Sequence, residues 1–116
     1  MKDADCLFCK IVAGDIRSTS VLDRGNVFAF RDVSPQAPTH ILIVPKDHVR
    51  DVSVLDASHG DLLAEMVTAA NELAASEGID ASGYRLVLNV GPDAGQTVFH
   101  LHLHLLGGRP MAWPPG

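Results

Sequence analysis

The 116-residue chain is short of positive charge, of cysteine and of long apolar runs, and each shortage rules something out. Nine Lys and Arg stand against fourteen Asp and Glu, a formal charge of -5. Holding a nucleic acid polymer by counterion release needs the opposite balance, so no such partner is expected; a small anion would need a local positive potential. The apolar runs are too short to span a bilayer, and Met1-Lys2-Asp3-Ala4-Asp5 carries charge where a signal peptide would place an apolar segment. The expectation is a soluble, cytoplasmic protein without a membrane partner. Cys6 and Cys9 are the only cysteines. They lie too close together to staple a long loop and suit a metal or redox pair in a reducing compartment. Repeats and low-complexity linkers are absent, and 47% hydrophobic residues at this length suffice for the core of one domain.

What is present is a succession of short strand patterns around one helix. After an opening turn at Cys6 to Val12, Ser20-Val21-Leu22 and Val27-Phe28-Ala29-Phe30 read as a hairpin joined by Asp23-Arg24-Gly25-Asn26. Ser34-Pro35-Gln36-Ala37-Pro38 breaks regular structure, and His40-Ile41-Leu42-Ile43-Val44 follows as an apolar strand stopped by Pro45. Leu62, Leu63, Met66, Val67, Ala70, Leu73 and Ala74 recur at helical spacing, which predicts a helix from Ser58 to Glu77, capped by Asp56 or Ser58 and ended by Gly78. Tyr84 to Val90 and Phe99 to Leu106 are two further strands across a glycine-rich loop. The sum is an α+β domain of about five mainly antiparallel strands with one long helix across a face. The tail from Leu106 to Gly116 spends the only tryptophan, Trp113, among prolines, so it is expected to dock rather than hang free.

The feature that suggests chemistry is His100-Leu101-His102-Leu103-His104. Along a strand the side chains alternate, so the leucines should face a core while the imidazoles line the opposite side about 7 Å apart. Imidazole titrates near neutrality, so such a row can attack phosphorus, shuttle protons and hold phosphate oxygens. A histidine nucleophile would split one displacement into two. The central His102 is the candidate. The plainer reading is a half-buried strand with a polar outer face. A metal held by the row alone is disfavoured because neighbours on one face diverge too far to close a tetrahedral site. The preceding loop offers Gly91, Gly95, Gln96 and Thr97 as an anion cradle, but it lacks the Gly-Lys-Ser/Thr ending of a P-loop, which argues against a magnesium-dependent NTPase.

His-Leu-His-Leu-His-Leu-Leu resembles the signature of the histidine triad (HIT) family of nucleotide hydrolases and transferases. Ser34-Pro35-Gln36-Ala37-Pro38-Thr39-His40, Gly95-Gln96-Thr97-Val98-Phe99-His100, Gly107-Gly108-Arg109-Pro110-Met111 and Trp113-Pro114-Pro115-Gly116 extend the likeness to its Hint branch, the purine nucleoside phosphoramidases. The resemblance covers essentially the whole chain, as a single HIT domain over residues 1–116 with its tail at 106–116. It implies a HIT fold of five strands with one long helix and a short N-terminal helix. It also implies a homodimer whose sheets join into one of ten strands, with the tail near the partner's active site.

The same resemblance implies cleavage of the P–N bond of purine nucleoside 5'-phosphoramidates, such as nucleotidyl-lysine, without a catalytic metal. His102 matches the residue that is nucleotidylated, and His104, His100 and His40 match its supporting histidines. Asp32 would meet the ribose; Leu7, Phe8, Ile11, Ile16, Phe30 and Val33 the purine; Asn89, Gly95, Gln96, Thr97 and His104 the α-phosphate. Thr97 replaces the serine of many relatives, keeping the hydroxyl. Cys6-x2-Cys9 resembles the zinc-binding form among bacterial members, with ligands at Cys6, Cys9, His48 and His100, a structural site by its closed tetrahedral donor set. The alternative is a pair of reduced thiols, one buried as a small apolar group. A thioredoxin-like pair lacks the framing strand and helix. Arg109 could pair with phosphate or with a carboxylate across the dimer, while His59 reads as a solvated surface residue. Two rival functions are a nucleotide-binding regulator with little turnover and a dinucleoside polyphosphate hydrolase or nucleotidyl transferase. The Trp113-Pro114-Pro115-Gly116 ending favours the phosphoramidase branch over the latter.

Overall fold

Gly25 and Asn26 reverse the chain between β1 (Ser20–Arg24) and β2 (Val27–Arg31), with Arg24 paired to Val27 across the turn. Gly25 takes φ +58°, a conformation open to glycine at little cost. β2 then pairs with β3 (Thr39–Pro45), β3 with β5 (Leu103–Gly107), and β5 with β4 (Tyr84–Val87), all antiparallel. One sheet results, in the order β1-β2-β3-β5-β4. Helix α1 (Leu7–Ala13) precedes it and α2 (Gly60–Ser76) lies between β3 and β4. This computed structural model describes residues 3–116. The expected α+β architecture, five antiparallel strands with one long and one short helix, is the one observed.

Period-two alternation sends residues of each inner strand to opposite faces. One face takes Val27, Ala29, Ile41, Ile43, Leu101, Leu103 and Leu105, which pack with Met66, Ala69, Ala70, Leu73 and Ala74 of α2. Three buried alanines let the helix lie close to the sheet. The other face takes Phe28, Phe30, Leu42 and Val44, covered by Cys6, Phe8, Cys9 and Ile11 of the α1 region. At the end of α2, Glu77 receives both terminal nitrogens of Arg31 at 2.8 and 2.9 Å and the Thr39 hydroxyl at 3.3 Å, tying helix to sheet.

Three boundaries differ most from the sequence reading. The long helix begins at Gly60 rather than Ser58, because Asp56 caps a separate 3-10 turn over Ala57–His59. His59, expected to be idle, closes that cap by accepting the Asp56 amide at 3.1 Å. β4 ends at Val87 rather than Val90. β5 starts at Leu103, not Phe99, and runs through Gly107. The register explains the late start: Leu103 opposes Ile43, so Leu101 would oppose Pro45, which has no N–H to offer. Residues 99–102 therefore continue the line of β5 without its ladder, and the Leu101 amide bonds the Val49 carbonyl at 2.6 Å instead.

Candidate active site and metal centre

On the α1 side of the sheet a cleft of about 390 Å³ opens between α1, β2, β3, β5 and the glycine-rich loop. Its lining divides into two ends. Leu7, Phe8, Ile11, Ile16, Phe30 and Val33 make an apolar slot, whereas Asn89, Gly95, Thr97, His102 and His104 gather polar groups, with Asp32 also on the wall. An amphiphile with a flat apolar part and an anionic part fits such a division.

The tautomers of the histidines follow from their partners. His102 Nδ1 lies 2.7 Å from the His100 carbonyl oxygen, which only accepts, so Nδ1 carries the proton and Nε2 keeps its lone pair. His40 Nδ1 accepts the Gln36 amide at 3.0 Å, so its Nε2–H donates to His104 Nδ1 at 2.9 Å. The proton of His104 then sits on Nε2, a buried atom with no hydrogen-bond partner among the described residues. Asp32 supports the pair, its Oδ2 3.5 Å from His40 Nε2. Asp32, His40 and His104 also stand close enough to hold a cation, but the directed hydrogen bonds already account for them.

Burial lowers the pKa of all three imidazoles. His104 falls to about 4, through desolvation first and the neighbouring His102 and His40 second, against a small opposing effect of Asp32. Desolvation lowers His40 against Asp32, and lowers His102 against its bond to the His100 carbonyl and the charge of Asp32. At neutral pH the group is therefore uncharged: one lone pair on His102 and one N–H on His104, with ring centroids 4.9 Å apart. The Phe8 ring meets His102 edge-on at 5.1 Å and limits its rotation.

His100 belongs elsewhere. It is fully buried, and its Nε2–H donates to the Pro45 carbonyl at 2.8 Å, which leaves Nδ1 unprotonated. That nitrogen lies 3.2 Å from Cys6 Sγ and 3.5 Å from Cys9 Sγ; His48 Nδ1 lies 3.5 Å from Cys9 Sγ. The four donor atoms fall within 4.8 Å of one another. Two sulfurs and two imidazole nitrogens, one of them oriented by a carbonyl behind it, make a donor set suited to a tetrahedral soft cation such as zinc. Burial raises the Cys6 thiol above its ordinary range, so deprotonation would have to be coupled to metal capture.

Nearly every residue expected around a nucleotide thus lines one cleft. Gln96 does not: its side chain is buried, accepts the Gly91 amide at 2.8 Å and donates to the Arg50 and Val98 carbonyls at 3.1 and 3.3 Å. It braces the loop that carries Thr97. Within the chain Arg109 donates to the Gln36 and Pro110 carbonyls. Trp113 is 83% exposed on the single chain, although the adjacent Ala112 carbonyl accepts from Arg85. Arg17, Leu42 and Val98 also line the cleft. Sequence reasoning passed over them because Arg17 follows a turn with no periodicity and Leu42 reads as one more core position.

Comparison with known proteins decides the family. Residues 13–111 match the family described as HIT domain. The chain belongs to the HIT family. A HIT relative in Escherichia coli, named purine nucleoside phosphoramidase, is 47% identical over 107 residues, covering 92% of this chain and 90% of that one. A maize relative named 14 kDa zinc-binding protein is 45% identical over 118 residues, covering 100% and 91%. The crystal structure of a HIT family hydrolase from Legionella pneumophila superposes with a TM-score of 0.94 at 52% identity, over 97% of this chain and 100% of that one. Among the described residues no helix is long and apolar enough to cross a membrane.

Proposed function

We propose that this HIT protein hydrolyses the P–N bond of purine nucleoside 5'-phosphoramidates, nucleotidyl-lysine among them, to the nucleoside monophosphate and an amine. One observation carries the reading: the 2.7 Å bond from His102 Nδ1–H to the His100 carbonyl, which reserves the Nε2 lone pair of a neutral imidazole beside the cleft. With the purine in the apolar slot and the ribose hydroxyls on Asp32, the α-phosphorus comes to the histidine end. His102 Nε2 attacks phosphorus and the P–N bond to the amine breaks. The amine departs with a proton passed through the histidine network. Water then attacks the nucleotidyl-His102 intermediate, returns a proton to the network and frees His102. Two in-line inversions give net retention at phosphorus. His104 Nε2–H, unpartnered among the described residues, donates to a phosphate oxygen that gains charge as attack proceeds.

Cys6, Cys9, His48 and His100 would hold a structural zinc ion that ties the N-terminal turn to the sheet, and no step of the reaction is assigned to it. The name of the maize relative and the donor set support this part of the reading. The 47% identity to the bacterial phosphoramidase supports the substrate class. A homodimer is part of the proposal as well: β4 forms one edge of the sheet with all four residues half-buried, and Trp113 stands uncovered close by in sequence to the strand β4 pairs with.

The test is hydrolysis of adenosine and guanosine 5'-phosphoramidates beside a dinucleoside polyphosphate, with mass spectrometry of a slow-substrate reaction and zinc analysis. Turnover of the phosphoramidates with a nucleotidyl adduct on His102 is expected. Preference for the polyphosphate would move the protein to a neighbouring activity, and tight nucleotide binding without turnover would make it a regulator. Sedimentation should return twice the mass of the chain.

A further inference from the structure

His100 faces two sites with two different parts of itself. Its side chain joins Cys6, Cys9 and His48, while its main-chain carbonyl fixes the tautomer of His102. What holds that main chain in place is unusual. The β3–β5 ladder ends at the Ile43–Leu103 pair, so neither His100 nor His102 is clamped by strand pairing. Anchors of this segment include the His100 Nε2–H bond to the Pro45 carbonyl, the Leu101 amide bond to Val49 and the sulfur contacts of the His100 ring. Without a metal those sulfur contacts are weak, since a thiol is a poor hydrogen-bond donor. With one they become bonds to a common centre.

We infer that His100 is a positioning residue through which occupancy of the Cys6–Cys9–His48–His100 centre aims the nucleophile. Ligation fixes the His100 ring, the ring fixes the peptide unit that follows it, and the carbonyl of that unit holds His102 Nδ1–H. Losing the metal frees His102 to rotate or to exchange tautomers, so that Nε2 is presented correctly only part of the time. The lining of the nucleotide slot does not include His100; its α1 wall carries Cys9 and is capped by Cys6, so metal loss loosens binding too, but by less than it misaims His102. The metal centre therefore sets how fast the protein reacts more than how tightly it binds. This rests on the zinc reading above, and its tautomer readout does not require the phosphoramidase assignment.

The experiment compares zinc-loaded protein, protein stripped with a chelator, stripped protein given zinc again, and His48→Ala, which removes the half-exposed ligand and keeps the buried three. For each, 15N NMR of the imidazoles reports the His102 tautomer, titration with AMP and GMP reports affinity, and elemental analysis reports zinc. The loaded protein should show one tautomer with the proton on Nδ1; stripping should give a mixture, lower kcat by about 10- to 100-fold, raise the nucleotide Kd by a clearly smaller factor, and be reversed by zinc. His48→Ala should fall between, in proportion to its zinc content, and thermal melting checks that it is folded. A single unchanged tautomer in folded, zinc-free protein would overturn the inference. So would equal losses in kcat and in nucleotide affinity, which would mean general loosening of the cleft. If loaded protein failed to turn over phosphoramidates, the functional proposal would fall while the tautomer result still decided this one.

Discussion

The two faces of the sheet are fed by the same strands yet differ in almost every physical respect. Toward α2 the side chains are aliphatic, interchangeable in kind and nearly free of hydrogen bonds; toward α1 the line of β5 supplies imidazoles whose ring nitrogens are largely assigned partners. On the first face what matters is volume. On the second it is direction, because moving one proton between nitrogens would reverse the chain from Gln36 through His40 to His104. A strand with period two thus separates the residues that hold the fold from those that act, and substitutions one position apart should fail in different ways.

The sharpest test is His102→Ala. It should lower phosphoramidase activity by about three to six orders of magnitude, as loss of a nucleophile does, while stability in a denaturant titration moves by less than about 1 kcal/mol. Its neighbour Leu103→Ala should do the reverse. Leu103 is 2% exposed against α2, so its truncation should cost about 2 to 5 kcal/mol of unfolding free energy, with kcat per folded molecule largely kept. If both variants lost activity and stability together, the division between the faces would be wrong.

A milder perturbation is pH. His104 titrates near pH 4 in the folded protein, and His40 is lowered too, whereas imidazoles of the unfolded chain titrate near 6.5. Below 6.5 the unfolded state binds protons that the folded state refuses, so stability declines as pH falls from about 6.5 toward 4, by no more than about 1.4 kcal/mol per unit for each group. Thermal melting across that window should show the decline, and His104→Asn should flatten it. The smallest effect is expected at the edge of the apolar face. Glu77→Gln weakens the paired bonds to Arg31, whose hydrogen bonding first and charge second hold the Glu77 carboxyl below its usual range. The pair is partly exposed, so the cost should be under about 1 kcal/mol.

Much of this was legible in the sequence because alternation and helical spacing are local. The leucine and histidine faces, the hairpin at Gly25 and the run of alanines in α2 could all be read from neighbours within a few residues. The parts that were not legible depend on what lies across the sheet. That the ladder stops at Leu103 follows from Pro45 standing opposite Leu101, a register no local pattern reveals. Gln96 looked like a ligand because amides in glycine-rich loops often are, yet the carbonyls of Arg50 and Val98 claim it. Family resemblance left His100 both among the supporting histidines and beside the cysteines, and the geometry places it with the cysteines, the Pro45 carbonyl turning the ring.

The contact between Cys6 and His100 joins positions 94 residues apart. Such a closure comes late, since local hairpins and helices form before chain segments this distant can meet. During synthesis α1 and the first three strands emerge long before the histidine run does, and domains fold only once their last partner is available. The thiols therefore spend that interval without His100, the most buried of the four donors. The donor set is thus completed only when the histidine run arrives, late in assembly.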